Sequence, residues 1–412
     1  MTLNEIITIT IVLTAVFAYI NHRLIKWPPT IGIMVLALAS SVMLNFAGRF
    51  YPSLSNKTFH IVSFINFQSV LMNFMLSFLL FAGSVHIDAG KLKNESWPVV
   101  ALATLGTVIS TYVIGVMMFY LFGLFAVKIP FLYCLLFGAL ISPTDPIAVL
   151  GILKEAKIPA SLNLKISGES LFNDGIAVVL FITISEISLS NNSHISIVDI
   201  SKLFLQEAVG GLLFGTLLGY AGYWALRSID DYKVEVLITL ALVMGGYLMA
   251  DDLHVSGPLA MVVTGVITGN KARGGGMSAL TRDYLSKFWE LIDEILNAIL
   301  FLLVGMEMLV IKVNTTILLI GFIAISLVLM ARFVSVAFPV FLLRHKIQFE
   351  RHAVVILTWG GLRGGLSIAM ALSLPAKMYH DEFLLITYVI VVFSILVQGL
   401  SIGKLAKKLQ HS

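Results

Sequence analysis

Long apolar runs separated by short polar loops follow one another along the whole chain. A run of about 20 apolar residues is the length that an α-helix needs to cross the hydrocarbon core of a bilayer. We therefore predict an all-α polytopic membrane protein with about thirteen spans, because helices satisfy their own backbone hydrogen bonds in lipid. The predicted spans centre on residues 4–22, 29–47, 66–86, 97–125, 129–152, 163–187, 202–227, 233–251, 256–270, 285–310, 313–343, 351–376 and 381–403.

Two of these spans, the fifth and the twelfth, are interrupted by helix-breaking residues. The fifth contains Ser142-Pro-Thr-Asp-Pro146, where each proline removes a backbone donor and clashes with the preceding turn. The twelfth contains Gly360-Gly-Leu-Arg-Gly-Gly365, where each glycine lowers the helix propensity by about 1 kcal/mol. Interrupted spans at corresponding positions of two halves are typical of inverted-repeat transporters. We predict two broken helices that cross inside the membrane.

Composition and charge agree with a membrane protein and indicate its orientation. The chain is 58% hydrophobic and 12% charged, which excludes an ordinary soluble globular protein. Nineteen of the 27 lysines and arginines fall in loops on one side of the predicted membrane and six on the other. The positive-inside rule then places the N-terminus outside and the C-terminus in the cytoplasm. Topology explains the basic residues, so no nucleic-acid partner is predicted.

The sixth predicted span begins with the polar stretch Gly168-Glu-Ser-Leu-Phe-Asn-Asp-Gly175. A charged side chain at the bilayer centre costs at least about 2.5 kcal/mol and marks a functional site. Glu169 and Asp174 lie five residues apart on one helix and point in different directions, which indicates two separate roles. In a low-dielectric cavity a proton and a cation compete for a carboxylate such as Asp174. Ser170, one turn earlier on the same face, and the freed carbonyl of Thr144 supply further oxygen ligands.

Two arginines lie inside predicted spans and need acidic partners there. Arg363 lies among the glycines of the twelfth span, and Glu169 is the partner that we predict for it in a structural ion pair. Arg332 lies in the eleventh span, and Glu307 in the tenth is a candidate partner for it.

Two neighbours of these residues complete the predicted site. Asp145 stands between the two prolines of the fifth span, where a kink that only shapes packing would not need a carboxylate. Asn173 can donate to Asp145 or orient Asp174, but it adds no charge. We predict a functional role for both.

The three polar stretches, in this order, resemble the signature stretches of the cation:proton antiporters. The chain is most similar to the NhaP-type Na⁺/H⁺ exchangers, which are bacterial relatives of the animal sodium/proton exchangers. The resemblance covers nearly all of residues 1–412 and implies that they form a single transporter domain. It also implies a homodimer and an elevator-like movement of part of each protomer. It implies an ion-transporting core at approximately 97–187 and 313–403, and a dimerisation scaffold at approximately 4–86 and 202–310.

The resemblance also implies roles for individual residues. The ion- and proton-binding set is made of Asp174, Ser170, Thr144, Asp145 and Asn173. Within it Asp174, Thr144 and Ser170 would bind the monovalent cation, and Glu169 would pair with Arg363. The sequence Asn173-Asp174, rather than two aspartates, resembles the electroneutral one-for-one exchangers.

One position departs from the pattern. Some archaeal relatives carry an acidic residue in the third helix where this chain has Ala82. An alanine side chain supplies no ligand, so the coordination number and the choice among Na⁺, K⁺ and Li⁺ stay open.

We predict a secondary antiporter that exchanges Na⁺, and also Li⁺, for H⁺ across the cell membrane and serves pH, Na⁺ and volume homeostasis. No cofactor is expected, since the cation and the proton are substrates. K⁺/H⁺ exchange is an alternative of the same class. Two further alternatives are a passive cation channel, against which the broken helices argue, and an intramembrane aspartyl protease. A dyad of Asp145 and Asp174 would serve the protease, but its Gly-x-Gly-Asp motif is absent from the sequence.

Overall fold

The computed structural model describes residues 3–48, 50, 70–155, 158–189, 197–271, 278–345, 347 and 349–410. Within these residues the fold is α-helical, and its one pairing of extended residues is an isolated antiparallel bridge between Asp145 and Leu362. The helices in chain order are α1 (Leu3–Ile20), α2 (Pro29–Gly48), α3 (Leu76–Val85), α4 (Ala89–Asn94), α5 (Ser96–Leu124), α6 (Phe131–Ile141), α7 (Ile147–Glu155), α8 (Ala160–Leu189), α9 (Ile197–Arg227), α10 (Tyr232–Asp252), α11 (Gly257–Lys271), α12 (Ala279–Met306), α13 (Thr315–Leu343), α14 (Ala353–Trp359), α15 (Gly365–Leu372) and α16 (His380–Leu409).

Eight helices in the described part of the chain are long and apolar enough to cross a membrane. They are α1, α2, α5, α8, α9, α10, α13 and α16. Three shorter apolar helices, α3, α6 and α11, accompany them. The all-α membrane architecture is therefore confirmed, while the count of thirteen spans stays a prediction. The predicted start of the third span, residues 66–69, lies outside the described residues.

The tenth predicted span differs from the structure at its start. It was expected from residue 285, but α12 begins at Ala279, where Ser278 caps it by accepting a hydrogen bond from Thr281 N–H. The mixed-charge segment before residue 290 continues the same helix, since its apolar residues keep the helical period. One helix therefore carries both an amphipathic half and an apolar half.

Small residues bring α9 and α11 into close contact. A Cβ atom at Gly215 of α9 would lie 2.8 Å from the Cα atom of Ala260 in α11. Thr264 Oγ1 in α11 donates to the carbonyl of Gly215 at 3.1 Å. The glycines of α9 thus serve contact within one chain, because only glycine lets two helix backbones approach this closely.

A buried lysine joins three segments at one end of α8. Lys165 is 1% exposed, and its Nζ donates to the two carboxylate oxygens of Glu350 at 3.0 and 2.9 Å. The same Nζ lies 3.3 Å from Glu95 Oε2 and 5.4 Å from the ring centroid of Phe349. Because Glu95 directly precedes α5 and Glu350 precedes α14, this cluster, here the Lys165 clamp, ties both segments to α8.

Two of the π-helical turns in the described part of the chain lie inside long helices. Leu102–Gly106 lies within α5, and Ser394–Gly399 lies within α16. Such turns occur often at functional sites because they redirect side chains and backbone groups. The turn in α16 faces the second broken helix, which is described next. The division into core and scaffold stays a prediction.

Candidate ion-binding site

The predicted breaks are present, and the two broken helices meet. The first consists of α6 and α7 with Ser142 to Pro146 between them, and the second of α14 and α15 with Gly360 to Gly364 between them. Asp145 N–H donates to the carbonyl of Leu362 at 2.8 Å. This bond and the bridge around it hold the two extended segments against each other, so four half-helix ends converge on one point.

Glycine is required where these segments touch. A Cβ atom at Gly364 would lie 2.6 Å from the Cβ atom of Asp145. A Cβ atom at Gly361 would lie 3.0 Å from the guanidinium carbon of Arg332. Arg332 cannot retreat because it lies in the packed interior. Asp145 is half-buried, but its Cβ atom belongs to a backbone segment that is held by the hydrogen bond to Leu362. The glycines therefore allow the crossing as well as the break.

Arg363 stabilises the crossing itself. Its Nη1 donates to the carbonyl oxygens of Ser142 and, at 2.9 Å, of Pro143. These carbonyls follow the C-terminal end of α6, where a cation is favoured by the helix dipole and by unpaired backbone acceptors. Arg363 N–H in turn donates to Ser394 Oγ at 2.9 Å, so the π-turn of α16 positions the segment.

The predicted ion pair between Glu169 and Arg363 is wrong. Glu169 Oε1 accepts a hydrogen bond from Arg332 Nη1 at 2.5 Å, and both residues are buried. Arg332 also donates to the carbonyl of Leu357 at 3.2 Å. Arg363 acts on Glu169 only as a more distant charge, because the carbonyls of the first break bind its guanidinium. Arg332 thus takes the place expected for Arg363, and Glu307 is not its partner.

A chain of hydrogen bonds joins the first break to α8. Asn173 Nδ2 donates to Thr144 Oγ1 at 2.8 Å, and Asn173 Oδ1 accepts from Thr144 N–H at 3.3 Å. Thr144 Oγ1 lies 2.9 Å from Ser170 Oγ, and either hydroxyl can donate. All three residues are buried. The arrangement fixes two hydroxyl oxygens beside the turn of α8 that carries Asp174.

Asp174 and Asp145 face a common cavity of about 460 Å³. Both are half-buried, and Asp145 and Arg363 are the charged residues whose Coulombic interaction reaches Asp174. Thr144 and Pro143 contribute to the same wall. The cavity extends to His86 and Lys91, which are exposed. It therefore opens at the end of the molecule that the basic residues predict to be cytoplasmic.

The structure thus brings the five predicted ion- and proton-binding residues together. Those residues are Asp174, Ser170, Thr144, Asp145 and Asn173. Carboxylate and hydroxyl oxygens suit a hard monovalent cation, and a buried carboxylate can exchange that cation for a proton. Their individual roles stay predictions.

Sequence reasoning missed several polar residues of the cavity wall, three of which lie on α12 and α15. Asp293 and Asn297 of α12 and Ser367 of α15 all line it. The available signal was a spacing of four residues, which puts Asp293 and Asn297 on one face of a helix that is otherwise apolar toward its end. Ser367 lies three residues after the second break. Its position near a helix break is comparable with that of Ser170, which lies four residues before Asp174.

Comparison with known proteins identifies the relatives of this arrangement. The family model described as "Sodium/hydrogen exchanger, transmembrane" matches residues 11–408. The Na⁺/H⁺ antiporter NhaP of Pseudomonas aeruginosa is 47% identical, over 98% of this chain and 96% of that protein. The Na⁺/H⁺ antiporter NhaH of Halobacillus dabanensis is 35% identical, over 94% of this chain and 93% of its own length.

A solved structure shows the same fold. The sodium proton antiporter MjNhaP1 of Methanocaldococcus jannaschii superposes with a TM-score of 0.78 and covers 100% of both chains. The two sequences are 20% identical, so this likeness concerns the fold. It agrees with the helical architecture described above.

Proposed function

The chain belongs to the sodium/hydrogen exchanger family, and from this premise we propose that it exchanges Na⁺ for H⁺ across the cell membrane. The family consists of transporters, which removes the aspartyl protease alternative. Relatives named as Na⁺/H⁺ antiporters favour Na⁺ over K⁺ as the substrate. Exchange of this kind would serve pH, Na⁺ and volume homeostasis.

The observation that carries the proposal is the position of Asp174 in the cavity wall, beside the buried hydroxyls of Thr144 and Ser170. A carboxylate there can bind Na⁺ with these oxygens as further ligands, or it can bind a proton in place of Na⁺. Since the two states exclude each other, Na⁺ bound on one side is released when a proton is taken up. Alternating exposure of Asp174 to the two sides then couples the fluxes.

The charges around Asp174 favour one-for-one exchange. Glu169 and Arg332 neutralise each other, and Arg363 offsets one of the carboxylates of Asp145 and Asp174. Within the predicted core one negative charge remains for the substrate, because Asn173 adds none and Asp293 of the cavity wall lies on the predicted scaffold. Na⁺ and H⁺ each cancel it, so the loaded site carries the same charge in both directions and transport is electroneutral.

The first test is proton flux in everted membrane vesicles with a pH-sensitive dye. Addition of Na⁺ or Li⁺ to the wild-type protein is expected to dissipate an imposed pH gradient, and K⁺ much less. Asp174→Asn is expected to abolish the response, since an amide cannot carry the proton. The control is Asp381→Asn, an exposed residue that pairs with Lys312 at the surface, which should exchange like wild type. Full exchange by Asp174→Asn would contradict the assignment.

Stoichiometry and mechanism are tested in proteoliposomes. Clamping the membrane potential with K⁺ and valinomycin should leave the rate of an electroneutral exchanger unchanged. A rate that follows the potential would contradict one-for-one exchange. Currents far above the turnover of a carrier would instead support the channel alternative.

Assembly and orientation complete the proposal. We propose a homodimer in which the core moves relative to the scaffold, with the N-terminus outside and the C-terminus in the cytoplasm. The asymmetry of the basic residues supports this orientation. Reporter fusions at the C-terminus and crosslinking in the native membrane test these two points.

A further inference from the structure

A second polar group lines the cavity, on a helix that takes no part in the crossing of the broken helices. Asp293 and Asn297, four residues apart on α12, share the face of that helix that borders the cavity of Asp174. We propose that Asp293 and Asn297 form a second site for a hydrated monovalent cation, which captures Na⁺ from the open end of the cavity before it reaches Asp174. This inference rests on the exchange function proposed above.

The hydrogen bonds of Asn297 point to a ligand. Its Nδ2 donates to Asp293 O at 2.8 Å and to Asp293 Oδ1 at 3.1 Å. Both amide protons are thus used, and the opposite orientation of the amide would set its oxygen against two acceptors. Asn297 is 1% exposed, and in the described part of the chain its Oδ1 has no hydrogen-bond partner. A buried carbonyl oxygen without a donor has the capacity to accept a hydrogen bond or to coordinate a cation.

The neighbouring wall repeats this feature. Ser367 of α15 is fully buried, lines the same cavity, and its Oγ has no hydrogen-bond partner among the described residues. The cavity therefore presents one half-buried carboxylate and two oxygens with unused acceptor capacity on this side. Oxygen donors of this kind are the ligands of hard cations.

The charges that act on Asp293 make the site attractive to cations. Asp145, Glu290 and Glu294 all interact with it by Coulombic repulsion. Glu290 and Glu294, on α12 itself, are exposed, while Asp145 faces the same cavity. The basic residues of the cavity wall are Lys91 and His86, both at the exposed rim. A cleft with an excess of one charge and apolar walls concentrates counter-ions.

The composition of the site selects the class of ligand. A single carboxylate with neutral oxygens suits a monovalent cation, whereas Ca²⁺ sites gather several carboxylates around the ion. The cavity of about 460 Å³ leaves room for waters, since one water occupies roughly 30 Å³ of liquid. The cation can therefore keep part of its hydration shell at this site.

The site is also placed to act from one side only. α12 belongs to the predicted scaffold, whereas Asp174 and Asp145 belong to the predicted core. Asp293 thus stays in the cavity wall when the core moves, roughly two helical turns beyond Ser286, whose Oγ lies 3.5 Å from Nδ1 of His86 at the rim. It should raise the apparent affinity for Na⁺ presented on that side and leave the other side unaffected.

The first experiment measures the KM for Na⁺ on each side. Exchange is followed in everted and in right-side-out vesicles for wild type, Asp293→Asn and Asp283→Asn. Loss of one carboxylate in a cavity should raise the KM of Asp293→Asn about tenfold on the cavity side, with an unchanged KM on the other. Asp283→Asn, an exposed residue of the same helix that pairs with Lys287 at the surface, should match wild type. A wild-type KM for Asp293→Asn, or an equal rise on both sides, would overturn the proposal.

The second experiment measures binding without transport. Binding of ²²Na⁺ to purified protein should persist, more weakly, in Asp174→Asn and be lost in the double variant Asp174→Asn with Asp293→Asn. A double variant that binds as much Na⁺ as Asp174→Asn would refute the second site. Failure of the proposed function and failure of the second site give different results. A wild-type protein that does not exchange Na⁺ for H⁺ would refute the proposed function, whereas the binding measurement would still test the second site.

Discussion

At the scale of single residues, the buried ion pair of Glu169 and Arg332 leads to a specific prediction about stability. Both side chains are at most 7% exposed, and removal of one partner leaves an unpaired charge in the interior. This costs about 3–5 kcal/mol. We expect Glu169→Gln to lower the free energy of unfolding by about 3 kcal/mol, and thermal unfolding of the purified protein in detergent measures the loss.

The partner is identified by a double-mutant cycle. The double variant Glu169→Gln with Arg332→Gln should lose less free energy of unfolding than the two single variants together. The reason is that the second change removes the charge that the first left unpaired. Glu186→Gln is the control, because Glu186 is exposed on the same helix, α8. Additive losses would show that the pair is not coupled.

The same residues show what a sequence can predict at this scale. A charged residue within an apolar run predicts a buried partner of opposite charge. On this ground Glu169, Arg363 and Arg332 could all be identified as members of buried pairs. The choice between the two arginines depends on the rotation of α8 by about 100° per residue and on its packing. It also depends on the carbonyls of Ser142 and Pro143, whose position only the folded crossing defines.

At the scale of elements, the crossing of the broken helices depends on Gly364. A methyl group there would press against the side chain of Asp145. Overpacking of this kind costs about 1–3 kcal/mol, and relief by movement would separate Asp145 N–H from the carbonyl of Leu362. We expect Gly364→Ala to unfold at lower temperature and to lose most of its Na⁺-dependent proton flux.

The control for this change is Gly245→Ala in α10. A Cβ atom at Gly245 would have no neighbour within 4 Å among the described residues, and alanine is the better helix former. This variant should exchange normally and unfold at the same or a higher temperature. Equal losses in both variants would show that the close contact at Gly364 is unimportant.

Secondary-structure elements differ in how well the sequence predicts them. Prolines and glycines predicted both breaks, because they act on the local backbone. The contribution of α12 to the cavity wall could not be predicted in the same way, because the charged first half of this helix is typical of a helix at the membrane interface. That Asp293 meets the cavity of Asp174 depends on the packing of α12 against elements distant in the chain.

At the scale of the whole molecule, the Lys165 clamp holds together segments that are far apart in sequence. Lys165 Nζ contacts Glu350 and Glu95, which lead into the second broken helix and into α5, and Lys165 itself lies on the helix of Asp174. If the predicted core moves as one body, these segments must stay joined throughout the cycle. The clamp lies entirely within that body, so it should stabilise both states equally.

Lys165→Met keeps much of the side-chain volume but leaves the carboxylates of Glu95 and Glu350 without their cation. Since those carboxylates are about 20% exposed, water offsets part of the loss, and we expect a cost of about 2 kcal/mol. Thermal unfolding should shift down while the KM for Na⁺ stays that of wild type. Lys287→Met is the control, because Lys287 is 69% exposed and pairs with Asp283 at the surface. A changed KM in Lys165→Met without a loss of stability would mean that the clamp opens during transport and belongs to the moving boundary of the core.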